Sequence, residues 1–206
     1  MNKVYSKYLD GAITALADLP GIGRKSAMRI ALYLLKQPVE KVEVFSHAIE
    51  QMRKDITECE KCFNLAEGPY CNLCLDPSRM KTTICVVEDI RDVMAIEETG
   101  QYNGRYHVLG GVISPIEGIG PEILHIDMLI RRIKDDNIKE VIMAISPTID
   151  GETTIYYISK KLEGLDVKLS QIARGVAFGG ELQYTDEVTL GRSILARIPY
   201  SINGDS

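Results

Sequence analysis

A chain of 206 residues, 45% hydrophobic and 26% charged, has room for one larger domain and a smaller one, with the make-up of a soluble globular protein. No apolar run approaches the roughly 18 residues of a membrane helix, and Met1 to Lys7 lack the apolar core of a secretory signal, so the expected location is cytoplasmic, with reduced thiols. The net charge of −5 argues against a generally sticky nucleic-acid binder, yet residues 1–36 carry Lys3, Lys7, Arg24, Lys25, Arg29 and Lys36 against Asp10 and Asp18, which is +4 and leaves −9 for the remainder. A small basic end on an acidic body suggests either a local anion site or a solvated helix face.

Tyr5, Tyr8, Leu9, Ile13, Leu16 and Ala17 recur at helical spacing and predict a helix over 5–17. Leu19-Pro20-Gly21-Ile22-Gly23 interrupts it. Ala27, Ile30, Ala31, Leu34 and Leu35 predict a second helix over 24–36. Pro38 ends that helix or opens the next, and Val42, Phe45, Ile49 and Met52 form the stripe of a third over 39–57. A cysteine-bearing segment runs from Glu58 to about Arg79. Thr82 to Val87 reads as a buried parallel strand. A helix over 89–98, a strand at 106–109, a helix over 121–134 carrying Leu124, Met128 and Ile130, and a strand at 140–145 follow. A helix over 151–162, a strand at 167–169 and a last helix over 185–197 complete the chain. From residue 82 the alternation predicts a layered α/β domain with a mostly parallel sheet.

Cys59, Cys62, Cys71 and Cys74 form two Cys-x2-Cys pairs separated by eight residues. Two residues between thiolates let both sulfurs reach one ion from a tight turn. Four sulfurs complete a tetrahedron and leave no position for a reactive water, so the expectation is one structural Zn2+. Asn64, Gly68, Pro69 and Asn72 are turn formers that let the loop fold back. A disulfide framework conflicts with a reducing compartment. Cys85 lies in an apolar strand and reads as a small buried hydrophobe. His47, His107 and His125 are scattered and read as surface or structural residues.

Gly21 and Gly23 permit close approach of a ligand to the backbone, and the turn feeds a helix N-terminus, where amides and dipole favour an anion. Arg24 and Lys25 add charge there, and Arg29 lies four residues after Lys25 on the same face. The pattern fits a DNA phosphate cradle; a plain helix–turn–helix corner with Gly as a cap is the alternative. Gly-x4-Gly-Lys-Ser/Thr is absent, so the turn is not a nucleotide P-loop.

Leu19-Pro20-Gly21-Ile22-Gly23 resembles a helix–hairpin–helix motif, and the cysteines follow about 35 residues later. Val86-Val87-Glu88 and Ile145 to Glu152 resemble the two signature segments of a Toprim domain. With Tyr106 to Gly111, Ser114-Pro115, Gly118 to Pro121 and the tail Gly179 to Leu190, the chain resembles the RecR family of bacterial recombination mediators over essentially its whole length. The resemblance implies a multi-part α/β chain. Its parts are a helix–hairpin–helix DNA-binding region over 1–57, a four-cysteine zinc finger over 58–79, a Toprim domain over 80–177 and a C-terminal oligomerisation segment with a helical tail over 178–206. It also implies a DNA-repair factor that binds single-stranded, double-stranded and gapped DNA and loads RecA at gaps with RecO and RecF. Assembly with itself as a dimer or ring tetramer is implied too, the hairpins pairing between subunits. The family's DNA-contacting basic residues carry over to Lys25 and Arg29, and its RecO-docking acidic patch to Glu88, Asp150 and Glu152. Arg24 joins them on charge and position.

Toprim domains also occur in primases and topoisomerases. Such enzymes use a Glu and an Asp-x-Asp pair to hold Mg2+. Glu88 matches the Glu, but Ser146 and Thr148 stand at the Asp-x-Asp positions, so no catalytic residue is expected and a metal-dependent Toprim enzyme is the disfavoured alternative. Acidic charge at a helix N-terminus is the plain reading of Asp150 and Glu152. Between a DNA-gripping hairpin and a partner-binding domain, zinc is expected to fix the angle of the two.

Overall fold

The structure is a computed structural model that describes residues 6–176 and 178–198; Lys3, Tyr5 and residues 199–206 of the expected tail lie outside the described residues. The chain divides into two compact units, Met1–Thr57 and Glu58–Ser206.

The first unit holds α1 (Lys7–Ala17), α2 (Arg24–Leu35) and α3 (Val39–Asp55). Ser6 caps α1 by accepting from the Tyr8 amide. Gly21 takes a left-handed φ of 77°, a conformation that costs glycine little and lets the chain reverse into α2. Ile13 from α1 meets Ala27 and Ala31 from α2, all three buried, and the two alanines let the helices approach closely. Pro38 opens α3 rather than ending α2. The α3 stripe stays uncovered: Phe45, Ile49 and Met52 are each about half exposed (48%, 50% and 56%), and α3 buries no residue.

The second unit starts with the cysteine segment, in which β1 (Thr57–Glu58) and β2 (Leu65–Ala66) pair and α4 (Asn72–Leu75) follows. The α/β part then runs β3 (Thr83–Val87), α5 (Ile90–Glu98), β4 (Arg105–Val108), α6 (Ile126–Asp135), β5 (Glu140–Ala144), α7 (Ile149–Leu162) and β6 (Lys168–Gln171). A 3-10 turn at Leu182–Tyr184 and α8 (Glu187–Leu195) close the described chain. The four strands are all parallel in the order β4-β3-β5-β6. Strand alternation builds both faces. Ile84 and Val86 point into one core with Leu129, Ile133 and Ile158 from α6 and α7, while Cys85 and Val87 join Val93 and Tyr106 on the other. Phe63 and Leu73 of the cysteine segment pack against this second core, which therefore serves the metal module and the sheet together.

Several boundaries differ from expectation by one or more residues, the last helix for instance running Glu187–Leu195 rather than 185–197, and three differences have a clear local cause. The helix expected from Pro121 begins at Ile126, because the His125 amide bonds to the Leu109 carbonyl at 3.0 Å and Ile123 closes a turn on Gly120. Helix α7 begins two residues early because Thr148 Oγ1 accepts from the Gly151 amide at 3.0 Å and caps it. Helix α3 stops at Asp55 because Thr57 enters a strand.

Candidate nucleic-acid interface and metal centre

Cys59 and Cys62 sit in the turn between β1 and β2; Cys71 precedes α4 and Cys74 lies in it. The turn is held by the Cys59 amide on the Asn64 carbonyl at 2.7 Å and the Phe63 amide on the Cys59 carbonyl at 2.9 Å. The four sulfurs lie within 4.8 Å of one another, and all are free thiols. Among the described residues this is the one group of three or more His, Cys, Asp or Glu ligand atoms near enough to share an ion. The Cys71 amide donates to Cys59 Sγ at 3.3 Å, a bond that favours thiolate. The crowded thiols share hydrogen bonds that push two of them apart in acidity: Cys62 and Cys74 pull Cys71 down, while its bond to Cys71 drives Cys62 up. A divalent ion removes that conflict by letting all four ionise. The donor set and the burial fit one tetrahedral zinc with a closed shell.

The metal module is bolted to the sheet. The Val108 amide donates to the Cys62 carbonyl at 2.9 Å, and Lys61 Nζ pairs with Asp136 at 2.9 Å. Phe63, at a φ of 62° that is rare for an aromatic residue, stacks on His125 at 3.7 Å and meets His107 edge-on at 5.4 Å. Burial lowers the His107 pKa to about 3, so its ring is neutral and packs as an aromatic wall. His47 stands apart on α3, 4.0 Å from Glu50.

The glycine hairpin presents a separate surface. Gly23 caps α2 without a side-chain bond, so the first-turn amides have no capping side chain to occupy them. Lys25 and Arg29 are exposed and line a shallow groove of about 430 Å³ along α2 with Met28, Leu32, Tyr33 and Lys36. Arg24 differs: its guanidinium pairs with Asp10 at 3.2 Å and lies outside that groove. Tyr33 and Lys36 are the additions; Lys36 entered the sequence reading only as charge, and the i, i+4, i+11 spacing of Lys25, Arg29 and Lys36 was the signal that they share a face.

The acidic residues gather at the carboxyl ends of β3 and β5, the neighbouring strands where the winding direction reverses. Glu88 accepts the Ser146 amide at 2.6 Å. Thr148 spends its hydroxyl on the α7 cap. Glu152 in the first turn of α7 pairs with Arg174, a partner with no sequence signal, while Asp150 lies beside it. The two positions that would carry Asp-x-Asp thus supply a backbone donor and a helix cap. Asp92, pushed up by burial, bonds to the Glu88 and Asp89 amides at 3.1 Å and locks the turn after β3.

Family comparisons align with these parts in order. Residues 9–53 match the family described as RecR, helix-hairpin-helix, and residues 56–76 match the RecR zinc finger domain of the four-cysteine type. Residues 82–173 match the Toprim domain and 175–198 match RecR, C-terminal. The recombination protein RecR of Porphyromonas gingivalis is 52% identical over 201 residues, covering 98% of this chain and 97% of its own length. The chain belongs to the RecR family. RecR of Phocaeicola vulgatus is 54% identical over 198 residues, with 96% of this chain and 97% of its own covered. RecR of Flavobacterium johnsoniae is 51% identical over 195 residues, with 95% of each covered. As a member of this family, the chain has a recombination and repair role, and its cysteine quartet is the family's zinc-finger centre, built for one structural zinc. No described helix is long and apolar enough to cross a membrane.

Proposed function

We propose that this chain is a DNA-binding mediator of recombinational repair in the cytoplasm that acts with RecO and RecF to load RecA at single-stranded gaps, and that it is not an enzyme. The observation that carries the reading is the hairpin: an uncapped α2 N-terminus after Gly21 and Gly23, with Lys25 and Arg29 exposed on one groove. Phosphates are the natural ligand of such a site, so binding is salt-sensitive and weakly sequence-selective. Arg24 contributes charge near the turn while held by Asp10. In this reading Glu88, Asp150 and Glu152 form the surface that docks RecO, and RecF and RecA loading complete the role, which the recombination proteins that the chain resembles support at the level of repair.

Self-assembly belongs to the same reading. The uncovered stripe of α3 and an apolar groove of about 640 Å³ between α1, α2 and α3 support pairing of hairpin regions between subunits, and residues 178–206 make a second contact in a dimer or ring tetramer. Regions 1–57, 58–79 and 80–177 divide the labour as DNA binding, zinc finger and Toprim partner docking. The non-enzymatic reading rests on Ser146 and Thr148 in place of paired carboxylates.

Binding of gapped DNA by the Lys25→Glu/Arg29→Glu double variant tests the proposal, with circular dichroism as the fold check. The expected result is a native spectrum with DNA affinity reduced at least tenfold. Unchanged affinity would remove the hairpin from the interface. Mg2+-dependent strand or primer products that disappear in Glu88→Ala would instead support the enzyme alternative.

A further inference from the structure

The α2 groove holds more than two cations. On a helix turning about 100° per residue, Lys25, Arg29, Leu32 and Lys36 fall within about 60° of arc, opposite the buried Ala27 and Ala31. Lys25 and Lys36 stand about 16 Å apart along the axis, at 1.5 Å per residue. That length spans several consecutive backbone phosphates, which in a duplex are about 3.4 Å apart along the axis. None of the three cations has an ion-pair partner among the described residues, in contrast to Arg24. Tyr33 borders the same groove with 55% of its surface exposed, next to Leu32 at 40%. Its ring contributes nothing to the hairpin core, which is built from Ile13, Ala27 and Ala31. An exposed ring beside a row of unpaired cations is the arrangement with which proteins hold unpaired bases: the cations track the backbone and the ring takes a base face.

We propose that Tyr33 is a stacking platform for an unpaired nucleobase, on a strand whose phosphates follow Lys25, Arg29 and Lys36 along α2, and that it gives this surface its preference for single-stranded over duplex DNA. The inference rests on the reading of the hairpin as a DNA site and adds the class of DNA that it prefers. Bases inside a duplex offer no free face, so Tyr33 acts on single strands alone, whereas Lys36 acts on both forms through phosphate.

The test is fluorescence anisotropy with labelled oligothymidylate and with a blunt duplex of equal length, using the full chain as wild type, Tyr33→Ala, Tyr33→Phe and Lys36→Ala. Tyr33→Ala is expected to weaken single-strand binding roughly tenfold and leave duplex binding within about twofold, while Tyr33→Phe keeps wild-type affinity because the ring is retained. Lys36→Ala is expected to weaken both and to reduce the salt slope on single strands by about 0.7. Light scattering on each variant is expected to return the wild-type mass. Wild-type protein that binds neither DNA overturns the hairpin reading and this inference together. Wild-type binding with Tyr33→Ala unchanged, or equal losses on single strand and duplex, overturns the stacking role alone. A changed mass for Tyr33→Ala assigns Tyr33 to a contact between copies and overturns it as well.

Discussion

Gly151 shows how one residue shapes the candidate partner surface. A Cβ built there would lie 2.1 Å from the Ser146 carbonyl oxygen and 3.2 Å from Ile145 Cγ2, so the first turn of α7 approaches the end of β5 closer than any side chain allows. The same turn holds the Glu88–Ser146 and Thr148–Gly151 bonds, and its shape sets where Asp150 and Glu152 stand. Gly151→Ala is expected to cost about 1–3 kcal/mol, as overpacking does, read as a lowered thermal midpoint; an unchanged midpoint would show that the turn yields freely. Sequence reading placed Glu88, Asp150 and Glu152 in one region but missed the commitments that each makes. Ser146 donating by its backbone and Arg174 reaching Glu152 depend on strands brought together by the sheet, and no spacing records that. The left-handed Phe63 was equally hidden, because such backbone is ordinarily a glycine or asparagine signal.

At the scale of elements, the long periodic helices and the apolar strands were legible because burial alone sets their pattern. The strands β1 and β2 and helix α4 were not, because they are too short to carry a period and are fixed by where four sulfurs must meet. The cysteine spacing named the metal; it did not reveal that the module shares a core with the sheet through Phe63 and Leu73. Zinc is therefore coupled to the stability of the α/β unit. Binding free energy at such sites is about 10–16 kcal/mol in isolated fingers. Removing zinc with a chelator, or replacing Cys62 with Ala, is expected to lower the thermal midpoint by roughly 10 °C or more, given about 2–4 °C per kcal/mol at this size. Readdition of Zn2+ after chelation should restore it. A midpoint indifferent to both treatments would contradict the coupling through Val108 and Phe63.

For the whole molecule, the order of parts could be read from the sequence because each has its own chemical signature: a glycine hairpin, paired cysteines, then alternating strands and helices. The periodicity of α3 shows an amphipathic stripe but does not say what covers it, and within one chain Phe45, Ile49 and Met52 stay about half exposed. The opposing charges of the two parts of the sequence fit the proposed division of labour, in which DNA meets the basic hairpin and proteins meet the acidic α/β unit. In the proposed function, DNA phosphates meet the protein at Lys25 and Arg29. The most direct measurement is the dependence of single-strand affinity on salt for wild type and for Lys25→Ala/Arg29→Ala. Two lost phosphate contacts predict a log–log slope shallower by about 1.4, at about 0.7 per contact, with zinc content and thermal midpoint unchanged. Equal slopes for the two proteins would place the DNA site elsewhere on the molecule.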